Sequence, residues 1–355
     1  MIAQALRPAD FEECLHVIDD KASGVQGVIA IHSTARGPAA GGCRFWHYET
    51  LAAMHRDAVR LARGMSYKNA LADLPFGGGK AVLRRTAGSF DRATVFRVFA
   101  DAVAALEGAY ITAEDVGTGI ADMQAVRERT RYVAGLEPRP GKAGGDPSPW
   151  TALGIFESMK ATVRFALGSD LRGLTVAVQG TGNVGMHLCR LLADAGAKLI
   201  VADVDRHRVE QVAQALGARA VGVEDIIGVE ADIFAPCALG GVLDATSIPQ
   251  LRARIICGGA NNQLTTESDG QMLLDRGITY APDYVVNAGG IINVAAEYLD
   301  ETPGQVHERV RKIPDRLQLI LARAAAEGRP TNIVADSLAR QIIADARPVS
   351  VPINA

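Results

Sequence analysis

At 355 residues the chain is long for one hydrophobic core and comfortable for two. Its 48% hydrophobic and 22% charged residues argue against a disordered chain, and a formal net charge of −3 with no basic tail argues against nucleic acid as a partner. Five widely spaced cysteines (Cys14, Cys43, Cys189, Cys237 and Cys257), an odd number with no Cys-x-x-Cys, speak against a disulfide framework or a zinc site and suit a reducing cytoplasm.

The first stretch, MIAQALRPADFEEC, lacks the charged-then-apolar pattern of a secretory leader. Gly27–Ser33 is a β-prone run. Leu51–Gly64 has apolar residues at helical spacing, with Arg56, Arg60 and Arg63 on the polar side, so a helix is predicted there with Lys68 just beyond it. A strand is expected over Ala81–Arg84 after three glycines. A helix over Ala93–Leu106, ended by Gly108, precedes a strand over Tyr110–Ala113 that runs into Glu114 and Asp115. Arg127, Arg129 and Arg131 read as the solvated face of a helix. Residues 137–149, EPRPGKAGGDPSP, form the best linker candidate. Ser148 before Pro149 has the form of an N-cap with proline at the first helical position, opening a helix over Trp150–Ala166.

The second half alternates strands and helices. Strands are predicted at Leu174–Val178, Lys198–Ala202, Asp232–Ala235, Ala253–Cys257 and Thr279–Ala281, with helices at Gly185–Ala195 and Arg206–Leu216. That βαβ rhythm implies a parallel, doubly wound sheet. The most apolar long segment, Tyr284–Ala296, is too short to span a bilayer and carries Asn287 and Asn293, so no membrane is expected. Amphipathic helices follow at Val306–Ala325 and Asn332–Asp345. The seven histidines show no helical His-x-x-x-His pair, so no metal is expected.

Within LTVAVQGTGNVGMHLCRLL, the glycines of Gly180-Thr-Gly182-Asn-Val-Gly185 stand between a β-prone run and an apolar helix. Each has a job in dinucleotide binding: Gly180 for the tight turn, Gly182 for close approach to a pyrophosphate, Gly185 for helix–strand packing. The backbone at Asn183 and Val184 would offer free N–H groups and the positive end of the helix dipole. Asp203, ending the next strand, would accept from the ribose hydroxyls and repel a 2′-phosphate, favouring NAD over NADP, with Arg206 close by in sequence.

The stretch LPFGGGKAVL (74–83) puts three glycines against Lys80. A phosphate loop is excluded, because Leu74 occupies the earlier glycine position and Ala81 follows the lysine. Lys68 in RGMSYKNA, Lys80, and Asp115 in YITAEDVGTG are residue types that suit chemistry on an α-amino acid. One ammonium can hold a carboxylate. A second lysine, partly desolvated and crowded by the first, is expected to lose its proton and serve as a base near neutral pH. A neighbouring carboxylate can pass protons to nitrogen. The glycines are expected to leave room for substrate beside Lys80.

With these motifs in place, the chain resembles the glutamate/leucine/phenylalanine/valine dehydrogenase family, and its shorter NAD-linked branch in particular. The matching stretches are GPAAGGCR (37–44), LARGMSYKNA (61–70), LPFGGGKAV (74–82), YITAEDVGT (110–118), GDPSPWTALG (145–154), VAVQGTGNVG (176–185), APCALGG (235–241), GGANNQL (258–264) and APDYVVNAGG (281–290), collinear with the family. The resemblance implies an α/β fold of two domains. Residues 1–138 would form a mixed α/β substrate-binding and oligomerisation domain, and 139–328 a Rossmann-type doubly wound NAD-binding domain. Residues 329–355 would be a C-terminal helix packing back on the first domain. It implies that Lys68, Asn262 and the Gly42 backbone bind the substrate carboxylate. Lys80 would activate the water that attacks the iminium, and Asp115 would shuttle protons. Thr151, Cys237, Ala238 and Asn261 would contact the cofactor, in a site between the domains. A cytoplasmic homo-oligomer is implied.

By position in the family, Ala40, Ala113, Ile291 and Val294 would line the side-chain pocket. All four are apolar, so a glutamate side chain would bury an unpaired charge at a cost of several kcal/mol. Leucine or valine is favoured over phenylalanine, with tryptophan left open. Two other classes compete. A 2-hydroxy acid dehydrogenase would want a histidine acid–base with an arginine clamp, and His32, His47 and His55 show no such setting. A non-catalytic dinucleotide-binding protein would not need both lysines and Asp115.

Overall fold

The computed structural model describes residues 3–6, 14–86, 88 and 90–346. The chain divides into two compact units. One takes the residues up to Gly145 with 293–303 and the chain from Ala339, and the other takes 146–292 and 304–338.

The first unit runs β1 (Ala3–Leu6), β2 (Cys14–Asp20), β3 (Val25–Ser33), β4 (Ala39–Ala40), β5 (Cys43–Trp46), α1 (Leu51–Leu71), β6 (Gly77–Arg84), α2 (Arg92–Ala104), β7 (Tyr110–Ile111) and α3 (Ile120–Arg127). Its mixed sheet has the order β1-β2-β3-β6-β4-β7, with β5 also paired to β6. β6 is therefore the central strand. It is antiparallel to β3, with Ala30 opposite Lys80, and parallel to β4 and then β5 on its other edge. On one face Ile29, Phe45, Phe96, Phe99, Tyr110 and Met123 form the core beneath α2 and α3, and on the other Val28, Met54, Ala58 and Val82 meet α1.

Several boundaries differ from the sequence expectation. The strand predicted from Ala81 begins at Gly77, so the three glycines lie inside it. Each removes a clash. A Cβ on Gly77 would overlap Ser33 O, one on Gly78 would overlap Ser66 N, and one on Gly79 would lie 2.8 Å from the Tyr110 ring. That space is filled by protein rather than left for substrate. Helix α1, capped where Thr50 accepts from Ala53 N at 3.1 Å, continues to Leu71 and carries Lys68 on its last turn. Tertiary packing of Ser66, Asn69 and Ala70 against β6 carries the helix past Gly64. Only Arg127 of the three arginines is helical; Arg129 and Arg131 follow α3, all three exposed. β1, β2, β4 and β5 were not foreseen.

Gly64 is exposed on α1, and a Cβ there would meet nothing within 4 Å. Gly64→Ala is expected to raise stability by roughly 0.8–1 kcal/mol, the helix-propensity difference, read as a higher denaturant midpoint at unchanged slope.

The second unit runs α4 (Ser148–Leu167), β8 (Thr175–Gln179), α5 (Asn183–Asp194), β9 (Lys198–Ala202), α6 (Arg206–Leu216), β10 (Arg219–Ala220), β11 (Ile233–Pro236), β12 (Ile255–Ile256), α7 (Asp269–Asp275), β13 (Thr279–Tyr280) and α8 (Asp283–Val286). Then come α9 (Gly289–Tyr298), whose last six residues count with the first unit, α10 (Pro303–Val310), α11 (Ile313–Glu327) and α12 (Thr331–Ala344). The six-stranded sheet is all parallel in the order β10-β9-β8-β11-β12-β13. Numbered within the sheet, that is 3-2-1-4-5-6, the doubly wound dinucleotide-binding order, with its switch point between β8 and β11. Ser148 is the first residue of α4 rather than its cap, and its N–H is taken by Asp146 Oδ1 at 2.9 Å. The single helix predicted over Val306–Ala325 is two, because Pro314 has no N–H to give and restarts the helix near its own N-terminus. Among the described residues, no helix is long and apolar enough to cross a membrane.

Candidate active site

In the first unit, the edge of β6 changes partner beside Lys80. β4 ends at Ala40 opposite Gly78, and β5 starts at Cys43 opposite Ala81. Between them Gly41 and Gly42 bend the chain tightly. A Cβ on Gly41 would overlap Gly79 O, and one on Gly42 would overlap Glu114 O and lie 2.9 Å from Asp115 Cβ. The segment after β7 comes alongside, with Cys43 N donating to Ala113 O at 2.8 Å. This brings Asp115 to Lys80: Nζ lies 2.9 Å from Asp115 Oδ2, with the lysine side chain 7% and the aspartate 24% exposed.

Lys80 is thus paired with the carboxylate expected beside it. Burial alone pushes the Asp115 carboxyl up, but the Lys80 ammonium and the Arg44 guanidinium outweigh it and hold the group below its usual value. The turn Asp115 N to Thr118 Oγ1 (2.8 Å), with Thr118 Oγ1 also donating to Cys43 O (3.0 Å), fixes the backbone that presents it.

Sequence reasoning missed the other cation. Arg44 Nε donates to Asp115 Oδ2 at 3.2 Å and its terminal nitrogen to Asp57 Oδ2 at 3.0 Å. Asp57, on α1, also accepts from Tyr48 and from Arg60 at 3.0 Å. Arg44 lay within the stretch GPAAGGCR, which was the one signal for it.

Lys68 is half-buried on α1, two residues after Ser66, whose hydroxyl meets His32 Nδ1 at 2.8 Å. Asn69 Nδ2 donates to Gly77 O at 2.6 Å, tying α1 to β6. Ala40 and Ala113 are buried in the same part of this unit. Val294 belongs with this unit and Ile291 with the other, three residues apart on α9 and both half-buried.

In the second unit, Gly180 has φ +96° and a Cβ there would lie 2.8 Å from Ala238 N, so the turn after β8 is pressed against the end of β11. A Cβ on Gly185 would overlap Gly180 O. At Gly182, by contrast, the nearest atom to a Cβ would be Arg208 at 3.6 Å. That open cradle, at the unsatisfied N-terminus of α5 with Asn183 and Val184, fits a pyrophosphate. Asp203 accepts from Thr181 N at 2.6 Å, Thr181 Oγ1 at 3.2 Å and Asp205 N at 2.9 Å. Burial pushes its carboxyl up, and these bonds together with Arg208 outweigh that and hold it below its usual value.

Cys237 N donates to Gln179 O at 2.7 Å, and burial pushes the Cys237 thiol up to about 11, leaving it an unreactive packing residue. Thr151 Oγ1 donates to Pro147 O at 3.0 Å. Asn261 Oδ1 accepts from Asn287 Nδ2 at 2.8 Å, and Asn262, at φ +53°, donates its N–H to Asp283 Oδ2 at 2.6 Å. Asn287 and Asp283 were not singled out beforehand. Asn287 Oδ1 is buried without a hydrogen-bond partner, an acceptor that a ligand N–H could satisfy.

Comparison with known proteins gives one consistent result. Residues 11–132 match the model of the Glu/Leu/Phe/Val dehydrogenase dimerisation domain, and residues 146–207 and 202–330 match that of Glutamate/Leucine/Phenylalanine/Valine dehydrogenase. The chain is 46% identical to a leucine dehydrogenase of Geobacillus stearothermophilus, over 97% of its own length and 93% of that relative. It is 44% identical to a valine dehydrogenase of Streptomyces virginiae, over 92% of each. Among solved structures, an L-tryptophan dehydrogenase from Nostoc punctiforme superposes with a TM-score of 0.83 at 40% identity, covering 93% of this chain and 95% of that one.

Proposed function

The chain belongs to the glutamate/leucine/phenylalanine/valine dehydrogenase family and is an amino acid dehydrogenase, and from that premise we propose that it carries out the NAD-linked, reversible oxidative deamination of leucine or valine to the 2-oxo acid and ammonia. The buried Lys80–Asp115 pair is the observation that carries this reading, since it sets a base and a proton carrier 2.9 Å apart.

NAD, when bound, supplies the hydride acceptor. The residues that would hold it are the glycine cradle with Asn183 and Val184, Asp203 toward the ribose, Cys237 and Ala238 at the end of β11, and Thr151 and Asn261. An ionised Asp203 already surrounded by donors disfavours a 2′-phosphate, which supports NAD over NADP. On the substrate side, Lys68 would take the α-carboxylate with Asn262 and the Gly42 backbone. Lys80 would draw a proton from water as it adds to the oxidised carbon, and Asp115 would return protons to nitrogen as ammonia leaves. Ala40, Ala113, Ile291 and Val294 present no charge to the substrate side chain, which supports an apolar amino acid. The dimerisation-domain match over residues 11–132 supports a homo-oligomer. Five free thiols support a cytoplasmic setting.

Two small alanines at the pocket positions, with a tryptophan dehydrogenase at 40% identity, keep an aromatic substrate as the second reading. The test is a panel of L-amino acids with NAD and with NADP, followed by hydride transfer. The expected result is the highest kcat/KM for leucine or valine with NAD, and little turnover of glutamate. Preference for phenylalanine or tryptophan would replace the branched-chain assignment, and turnover only of 2-hydroxy acids would overturn the reading.

A further inference from the structure

We propose that Arg44 is a positioning residue for this reaction: fixed between Asp57 and Asp115, its guanidinium keeps Asp115 a carboxylate in the resting pair, so that Lys80 is the group whose proton must leave before it can serve as base and Asp115 stands ready to accept the proton it later returns to nitrogen. The inference rests on the dehydrogenase reading above and goes beyond it to a residue that reading does not use.

Two cations address one oxygen. Asp115 Oδ2 receives Lys80 Nζ at 2.9 Å and Arg44 Nε at 3.2 Å. A buried lysine–carboxylate pair alone can exist as ammonium and carboxylate or as amine and carboxylic acid, and the low local dielectric narrows the gap between the two. A second, permanent positive charge on the carboxylate favours the first form. Arginine suits this because it does not exchange its proton and its planar fork can serve two carboxylates at once. Here Nε takes Asp115 and the terminal nitrogen takes Asp57. Asp57 is itself held by Tyr48 and Arg60, so the guanidinium is anchored from α1.

The other groups facing Asp115 do not compete for the proton. From β5 the Cys43 thiol and from β7 the Tyr110 phenol are both pushed up by burial and stay protonated at neutral pH. The Val116 backbone also favours the Asp115 carboxylate. Glu114 is the chain neighbour, its carbonyl turned to Gly42. Asp122, further off, is paired with Arg92.

The test compares wild type, Arg44→Gln and Arg44→Lys by the pH dependence of kcat/KM for leucine deamination, with NAD binding as a control for folding. Removing a positive charge raises the apparent pKa of the pair, so the acid limb of Arg44→Gln is expected to move up by about one pH unit, with roughly tenfold lower activity near neutral pH and NAD affinity unchanged. Arg44→Lys keeps the charge and is expected to keep the limb within a few tenths of a unit. An unmoved limb in Arg44→Gln, or equal shifts in both variants, overturns the proposal. A second measurement needs neither turnover nor an Arg44 variant. In Lys80→Ala, a carbon-13 titration of Asp115 is expected to find it still ionised at about pH 6, with Arg44 the cation left on its carboxylate; a protonated carboxyl there overturns the proposal. Absence of deamination by wild type would instead count against the dehydrogenase reading and leave this second measurement to decide the role of Arg44.

Discussion

Lys80→Ala is expected to lower kcat for oxidative deamination by about 10³-fold or more while dinucleotide affinity stays within about twofold. A positioned general base contributes about 10²–10⁴-fold to rate. Lys80, its side chain 7% exposed, is held in an ion pair with Asp115. Its loss would also strand Asp115 with a carboxylate that burial opposes. Arg44 remains on the same oxygen, so the structural penalty should fall below the roughly 3–5 kcal/mol of a buried charge left bare. The glycine cradle and Asp203 belong to the other unit, so NAD binding reports on folding independently of the chemistry. The measurement is steady-state kinetics with leucine and NAD alongside a cofactor-binding titration. A loss of less than tenfold in kcat would take Lys80 out of the proton-transfer step; equal losses in kcat and NAD affinity would point to misfolding.

What the sequence discloses depends on how local the physics is. The glycine loop is legible because Gly180 and Gly185 each answer a constraint within a few residues, a positive φ and a helix packed on its own strand. The parallel strands announce themselves as short apolar runs, except β10, whose Arg219 and Ala220 are exposed and carry no hydrophobic signal. β4 is two residues long and has no periodicity to read, yet its end at Ala40 is what opens the edge of β6 beside Lys80. Arg44 and Asp57 look like surface charges in the sequence. Their meaning comes only when β5, α1 and the segment after β7 converge. The glycine triplet is the instructive case: composition rightly marks it as a place of close approach, but whether a ligand or the protein fills the space is a question of tertiary contact. Here Ser33, Ser66 and Tyr110 fill it.

That contact supplies the other large expected effect. Gly78→Ala should destabilise the first unit by about 3 kcal/mol or more, the upper end of overpacking costs, because the obstruction is backbone rather than a movable side chain. The added Cβ would overlap Ser66 N and Oγ and lie 2.5 Å from Ser66 Cα. Both sides are rigid: β6 is hydrogen-bonded to β3 and β4, and Ser66 sits in the 21-residue helix α1. Relief requires α1 to move away from the sheet, which stretches the Asn69–Gly77 bond and shifts the turn bearing Lys68 relative to Lys80. A displacement of about 1 Å at a catalytic constellation can cost about 10²-fold in rate. Thermal unfolding is therefore expected to begin roughly 6–12 °C lower, on the usual 2–4 °C per kcal/mol for a unit of this size, and kcat to fall even where the protein remains folded. Gly64→Ala, on the same helix but facing open space, is the matched control and should move the midpoint the other way. If the two variants melted together, close packing of α1 on the glycine strand would not be what holds the lysine-bearing turn in place.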